Sequence, residues 1–305
     1  MRKYGKIIAI ITTVLCFLGI VPLVQAQEQT QPMENQQVQQ EQENTTYIPV
    51  LMYHNFWNEQ YPLPTKEELG IPGYDPQTAP ANLYAGKFEQ QMQWLYENGW
   101  QTITLDEFYE WVQGKRVVSP KSFVITIDDG YKSVYTVAYP ILKKYNYKAT
   151  VFVVTSYMVD PNKKANFPHM TAQEMAKASD VFTYGSHTHD LHMVKNGKSL
   201  LFYTHPSVIK QDIEKSRNLL YTEYFAYPYG GYDGDIENIV REAGYKMAFT
   251  TGDRYAYVNQ DIYAIRRFDI TAQMSMDEFI TIMEGKAQKN LKPIFSPFSF
   301  RVTTL

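Results

Sequence analysis

The chain has 305 residues, a formal charge of −3, 44% hydrophobic and 15% aromatic side chains, and one cysteine. This describes a globular protein of one domain or two small ones and excludes a disordered or fibrous chain. The acidic balance argues against nucleic acid as a partner. The single cysteine, Cys16, lies in an N-terminal apolar run, so the folded part is expected to have neither a disulfide framework nor a thiolate metal site, which leaves His, Asp and Glu as the available ligand types.

Arg2, Lys3 and Lys6 precede an apolar run from Ile7 to Val24, and Val24-Gln25-Ala26 satisfies the small-residue cleavage rule. Residues 1–26 therefore read as a secretory signal peptide. The run is also about as long as the ~18 apolar residues of a possible spanning helix, so an uncleaved membrane anchor is the alternative. Either reading places the remainder outside the cytoplasm, secreted or held at the cell envelope. Cys16 lies inside the run and reads as a hydrophobe. Without the three leader cations, 26 basic side chains face 32 acidic ones, a formal charge of −6. Residues 27–46 are almost wholly Gln, Glu, Asn and Thr, too poor in apolar groups to offset their ordering entropy, and read as a disordered spacer before a folded domain over residues 47–305.

From Tyr47 onward, β-branched or aromatic runs alternate with helical patterns, the signature of an α/β domain with largely parallel strands. Strands are expected at Ile48 to Tyr53, Thr102 to Thr104, Phe123 to Ile127, Thr150 to Val154, Val181 to Tyr184, Tyr224 to Tyr227 and Met247 to Thr250. The Pro/Gly-rich stretch from Tyr61 to Ala81 reads as a surface excursion. Phe88, Met92 and Leu95 mark a helix stopped by Gly99, and Thr104 with Glu107 makes a capping box for the next, which ends near Gly114. Further helices are expected from about Lys132 to Lys144, with Pro140 inside or kinking it, around Thr171 to Lys177, over Ser207 to Leu220 and over Ile236 to Glu242. Ser275 with Glu278 caps a last one. Phe295 to Leu305 follows no interpretable pattern.

Three strand ends carry chemistry. Asp128-Asp129-Gly130 places two carboxylates where α/β folds present their catalytic loops. Adjacent aspartates repel unless a cation or proton relieves them, so one suits a metal and the other a base; alone, the triplet reads equally well as a turn. His187, His189 and His192 follow the strand ending near Tyr184, three of the six histidines of the chain, and favour a metal site. Phe225 to Gly230, with Tyr227, Pro228 and Tyr229, reads by itself as a strand and a Pro/Gly turn.

Together these elements resemble the polysaccharide deacetylases of carbohydrate esterase family 4, over about Ile48 to Ile270. The resemblance implies a single distorted (β/α) barrel, Asp128 as general base, and a divalent metal, zinc with cobalt or nickel as alternatives, held by Asp129 and two histidines. The usual histidine spacing in the family is four, but His187 plus four is Leu191. His192, at plus five, is the candidate and His189 the rival, since on an extended strand His187 and His189 would share a face. The longer spacing, and the stretch ending at His54, look like the branch that deacetylates biofilm poly-N-acetylglucosamine.

Where most members open the third motif with arginine this chain has Ala226, and no late Leu-x-His motif is present near the C-terminus. The resemblance then points to His54 as general acid and to Arg267, with Arg266 as alternative, as the arginine that orients the base. It implies hydrolysis of an acetamide on an N-acetylated glycan polymer by a monomer: the metal polarises the carbonyl and activates water, Asp128 takes the proton, the backbone N–H of Tyr229 helps stabilise the oxyanion, and His54 protonates the departing amine. The tyrosines around the third motif suit sugar rings in one or two cases and packing in the rest. Peptidoglycan and chitin oligomers are alternative substrates. A catalytically inactive glycan-binding protein on the same fold is the competing class, suggested by the two missing motif residues.

Overall fold

The computed structural model describes residues 45–71, 73–159 and 167–287. The leader with Cys16, residues 27–44 of the spacer and the stretch Phe295 to Leu305 lie outside the described residues.

Eight parallel strands form the main sheet: β1 (Val50–Tyr53), β2 (Gln101–Thr102), β3 (Ser122–Ile127), β4 (Ala149–Val153), β5 (Phe182–Ser186), β6 (Tyr224–Ala226), β7 (Met247–Phe249) and β8 (Phe268–Asp269). Their order is β7-β6-β5-β4-β3-β1-β8, with β2 on the free length of β3. All six residues of β3 are buried, as a central parallel strand covered on both faces requires. The two ends of the sheet also meet. Phe249 and Ile265 form a parallel bridge, the Ile265 N–H donates to the Ala248 carbonyl at 3.0 Å, and the Thr250 N–H donates to the Ile265 carbonyl at 2.8 Å. The sheet thus curls into a distorted barrel.

Alternation along the strands divides the core. Val50, Val124, Phe152, Ala226, Phe249 and Ile265 turn one way and pack with Leu105, Phe108 and Trp111 of helix α2 (Leu105–Val112). Leu51, Tyr53, Ile125, Ile127, Val151 and Val153 turn the other way, against Phe88, Met92 and Leu95 of α1 (Ala85–Glu97). Helices α3 (Tyr139–Lys144) and α4 (Ala172–Lys177) follow β3 and β4, while α5 (Pro206–Leu220), α6 (Gly234–Glu242) and α7 (Met276–Met283) complete the outer layer. The expected capping boxes of Thr104 with Glu107 and Ser275 with Glu278 are both formed.

Three expectations are adjusted. The helix before Lys144 begins as a π-helical turn over Val134–Ala138, and Pro140 falls in the first turn of α3. Pro has no N–H to give to a preceding turn, so it starts a regular helix here instead of kinking one. The excursion after Tyr61 contains a short helix, Lys66–Leu69, capped by Thr65 and Glu68. Strand β8 has no hydrophobic run to announce it and is not among the expected strands; Arg267, expected to orient the base, lies just before it and is fully buried.

Candidate active site

The site is assembled where β1, β3, β5, β6 and β8 end. At the end of β3 the Asp128 N–H donates to the Tyr53 carbonyl at 2.9 Å. The chain then turns through two left-handed residues, Asp129 at φ 70° and Gly130 at φ 74°. A side chain at Gly130 would also stand 3.3 Å from Val153, so glycine is needed on both counts. The positive φ of a non-glycine aspartate is uncommon and is held by its surroundings.

Arg267 reaches Asp128 from two strands away. Leu51 is paired with both Phe268 and Ile125, so the neighbouring residues Arg267, Val50 and Val124 share the opposite face, together with Thr126 and Asp128. Arg267 donates from Nη1 to Asp128 Oδ1 at 2.7 Å, from Nη2 to Oδ2 at 2.7 Å, from Nη1 to Thr126 Oγ1 at 3.1 Å and from Nε to the Thr250 carbonyl at 3.1 Å. Its guanidinium carbon lies 5.6 Å from the centre of the Phe152 ring and 6.0 Å from that of Phe249. Burial alone would raise the Asp128 carboxyl; the charges of Arg267 and His187 and the paired hydrogen bonds outweigh it and hold the group below the usual range. Arg266, by contrast, is exposed.

His187, just past β5, bonds through Nδ1 to the Ala226 carbonyl at 2.7 Å. A carbonyl only accepts, so Nδ1 carries the hydrogen and Nε2 keeps its lone pair. That Nε2 lies 3.6 Å from Asp129 Oδ1, and His192 Nε2 lies 3.1 Å from the same oxygen. Asp129 Oδ1 is buried with no hydrogen bond of acceptable geometry, and one ligand atom from each of the three residues falls within 4.8 Å of the others. Two imidazole nitrogens and an orphaned carboxylate oxygen fit a divalent ion with three protein ligands and open positions. Burial lowers His187 to about 4, against the opposing pull of Asp128, so its ring is neutral at physiological pH. Burial would raise Asp129, but the His192 interaction and the charges of His54 and His187 bring it far below the ordinary carboxylate range.

His189 is not in this cluster. Its Nδ1 is 2.9 Å from Thr155 Oγ1. The expected shared face with His187 does not exist because Thr188, at φ 71°, breaks the extended alternation between them.

His54 follows β1, half-buried, and its charge acts on Asp128, Asp129 and Asp269. Tyr229, at φ 57° in the short turn after β6, lays its ring 4.6 Å from that of His192 and is 44% exposed, open to a ligand. Pro228 is buried beneath it. Tyr227 corrects the expectation of a substrate contact. Ala226 faces the barrel interior, so Tyr227 turns outward, fully buried among Ile209, Ile213 and Phe225 and stacked on Tyr232 at 5.0 Å.

Some residues near the site gave no signal in sequence. Asp269 lies opposite Met52 on the face that carries His54, and burial raises its carboxyl against the pull of His54. Tyr131 follows Gly130; burial and the charge of Asp129 push its hydroxyl well up. His169 packs 4.4 Å from Tyr157 and 5.0 Å from Tyr131, and burial lowers it to about 4. Adjacency to the Asp-Asp-Gly turn would have pointed to Tyr131 alone.

A family model described as polysaccharide deacetylase matches residues 115–248, a span that holds both aspartates and all three motif histidines. These residues form a polysaccharide deacetylase family domain. YxkH of Bacillus subtilis (strain 168), named for the same family, is 28% identical over 280 residues, 87% of this chain and 89% of its own. A poly-β-1,6-N-acetyl-D-glucosamine N-deacetylase of Staphylococcus aureus is 31% identical over 194 residues, 61% of this chain and 66% of that one. Among solved structures, the Streptococcus pyogenes deacetylase PplD in complex with acetate superposes with a TM-score of 0.63 at 25% identity, covering 79% of this chain and 99% of that chain. On this barrel the deacetylase domain thus carries an arginine-clamped aspartate beside three side chains that could hold a metal ion.

Proposed function

We propose that the protein is a metal-dependent hydrolase that removes N-acetyl groups from an extracellular N-acetylglucosamine polymer, with poly-N-acetylglucosamine as the favoured substrate. The observation that carries the reading is the pairing of two carboxylates of opposite surroundings: Asp128 clamped by a buried arginine, and Asp129 aimed between two imidazole nitrogens. Asp129, His187 and His192 would hold the ion, which when bound supplies Lewis-acid polarisation of the acetamide carbonyl and a more acidic water. Asp128, kept ionised and oriented by Arg267, takes the proton of the attacking water. His54, across the site at the end of β1, gives a proton to the departing sugar amine. Tyr229 offers a sugar-sized aromatic face and, in its turn, a backbone N–H for the developing oxyanion.

The S. aureus relative supports poly-N-acetylglucosamine over peptidoglycan or chitin, and the leader and spacer support work outside the cytoplasm. Acetate release from oligomers of the three polymers, before and after chelation and with zinc, cobalt or nickel restored, tests the reading. Release that is lost on chelation, restored by metal and greatest on poly-N-acetylglucosamine is expected. No release from any polymer under any metal would put a glycan-binding role ahead.

A further inference from the structure

His187 and His192 bring their Nε2 atoms to one carboxylate oxygen, at 3.6 and 3.1 Å, although four residues intervene. The turn between them is strained at Thr188, a β-branched residue at φ 71°, and such strain persists only where the surroundings over-determine it. Those surroundings come from two elements. From the start of the helix after β4, the Thr155 and Ser156 N–H groups donate to the carbonyls of Thr188 at 3.2 Å and His189 at 2.9 Å. From α5, the Asp212 carboxylate accepts the consecutive N–H groups of His189 at 2.7 Å and Asp190 at 2.8 Å, one on each oxygen. One turn further along α5, Ser216 Oγ accepts a hydrogen bond from Ser186 Oγ at 2.8 Å, at the residue before His187. Asp212 and Ser216 are four apart and share a helix face, so α5 grips the ligand segment both before His187 and midway to His192.

We propose that Asp212 is a positioning residue of the metal centre: by collecting two consecutive amides on one carboxylate it folds the extra residue of the five-residue histidine spacing into the turn and sets where His192 meets Asp129. This rests on the metal reading proposed above. Asp212 acts through the backbone N–H groups of His189 and Asp190, as outer partners of metal ligands commonly do, with changes of about 10–100-fold in affinity on their removal.

The test uses the full chain stripped of metal, titrated with zinc by calorimetry and with cobalt by visible absorption. Asp212→Ala is expected to fold, to bind zinc about 10–100-fold more weakly than wild type and to shift the cobalt bands. Ile209→Val, which loosens the packing of the same helix and leaves both hydrogen bonds of Asp212 in place, is expected to bind as wild type. If Asp212→Ala fails to fold, Asp212→Asn carries the test: it keeps the shape but turns an amide NH2 toward one of the two N–H groups, and should also bind more weakly. Wild-type affinity and an unchanged cobalt spectrum in whichever variant folds would overturn the proposal, as would an equal loss in Ile209→Val. Absence of zinc and cobalt binding in the wild type would instead overturn the metal reading itself, and this inference with it.

Discussion

Arg267 and Asp128 form a fully desolvated pair, and such pairs are asymmetric in their energetics. Forming one offers little net stability, because desolvation offsets the Coulomb gain, but removing one partner strands the other charge. Arg267→Ala should therefore destabilise the fold by about 3–5 kcal/mol, measured as a lower urea midpoint. Arg267→Lys should recover part of that loss while losing the two-point grip on the carboxylate, since an ammonium is a point charge without a fork. Equal midpoints for wild type and Arg267→Ala would show that the clamp contributes nothing. At this scale much of the site was legible. Asp128, Asp129 and the histidine cluster stand in motifs, whereas the arginine lies 139 residues from its carboxylate and was chosen only through a likeness. What selects Arg267 over Arg266 is alternation in the chain entering β8: one faces the barrel interior and the other solvent.

At the scale of elements, the strands do two jobs with alternate residues, and small residues appear where the two conflict. Gly185 in β5 is such a place, because a Cβ there would stand 2.4 Å from the Phe152 ring, the ring that lies beneath the Arg267 guanidinium. Gly185→Ala should cost about 1–3 kcal/mol through overpacking and, unlike a surface change, should also lower acetate release by tilting the arginine. A thermal melt with an activity assay checks both; an unchanged midpoint would show that Phe152 has room to move. The hydrophobic runs announced β1, β3, β4 and β7 because every residue of each is buried, and β5 and β6 because most of theirs are. Strand β8 was missed because the inward positions at its start and within it hold Arg267 and Asp269, polar groups that serve the site. Asp212 was missed for a related reason: an acid in an amphipathic helix reads as solvated, and nothing local tells that its oxygens meet two amides of a distant turn.

For the whole molecule, burial leaves two histidines neutral in the folded state. His169 and His187 are both lowered from 6.5 to about 4 by desolvation. The unfolded chain then binds protons first as pH falls below 6.5, so stability of the metal-free protein should decline from there toward pH 4, by up to ~1.4 kcal/mol per pH unit for each such group. Asp128, held low in the fold, extends the same loss below its unfolded value. Urea midpoints at pH 7, 6 and 5 should fall steadily, and His169→Gln should show a shallower slope than wild type. An identical slope in the two proteins would mean that His169 titrates alike folded and unfolded. The barrel was legible through the order of its motifs, each at a strand end. Its closure was not, since the bridge between Phe249 and Ile265 joins segments with no shared pattern.

The central claim is that the two adjacent aspartates divide the labour, Asp129 with the metal and Asp128 with the proton. The most direct measurement is the zinc content and acetate release of Asp128→Asn beside wild type, with folding checked by circular dichroism. Asp128→Asn is expected to fold and to retain zinc through Asp129, His187 and His192 while acetate release falls by about 10²–10⁴-fold. A variant that keeps both zinc and wild-type release, or one that folds but loses the zinc, would contradict it.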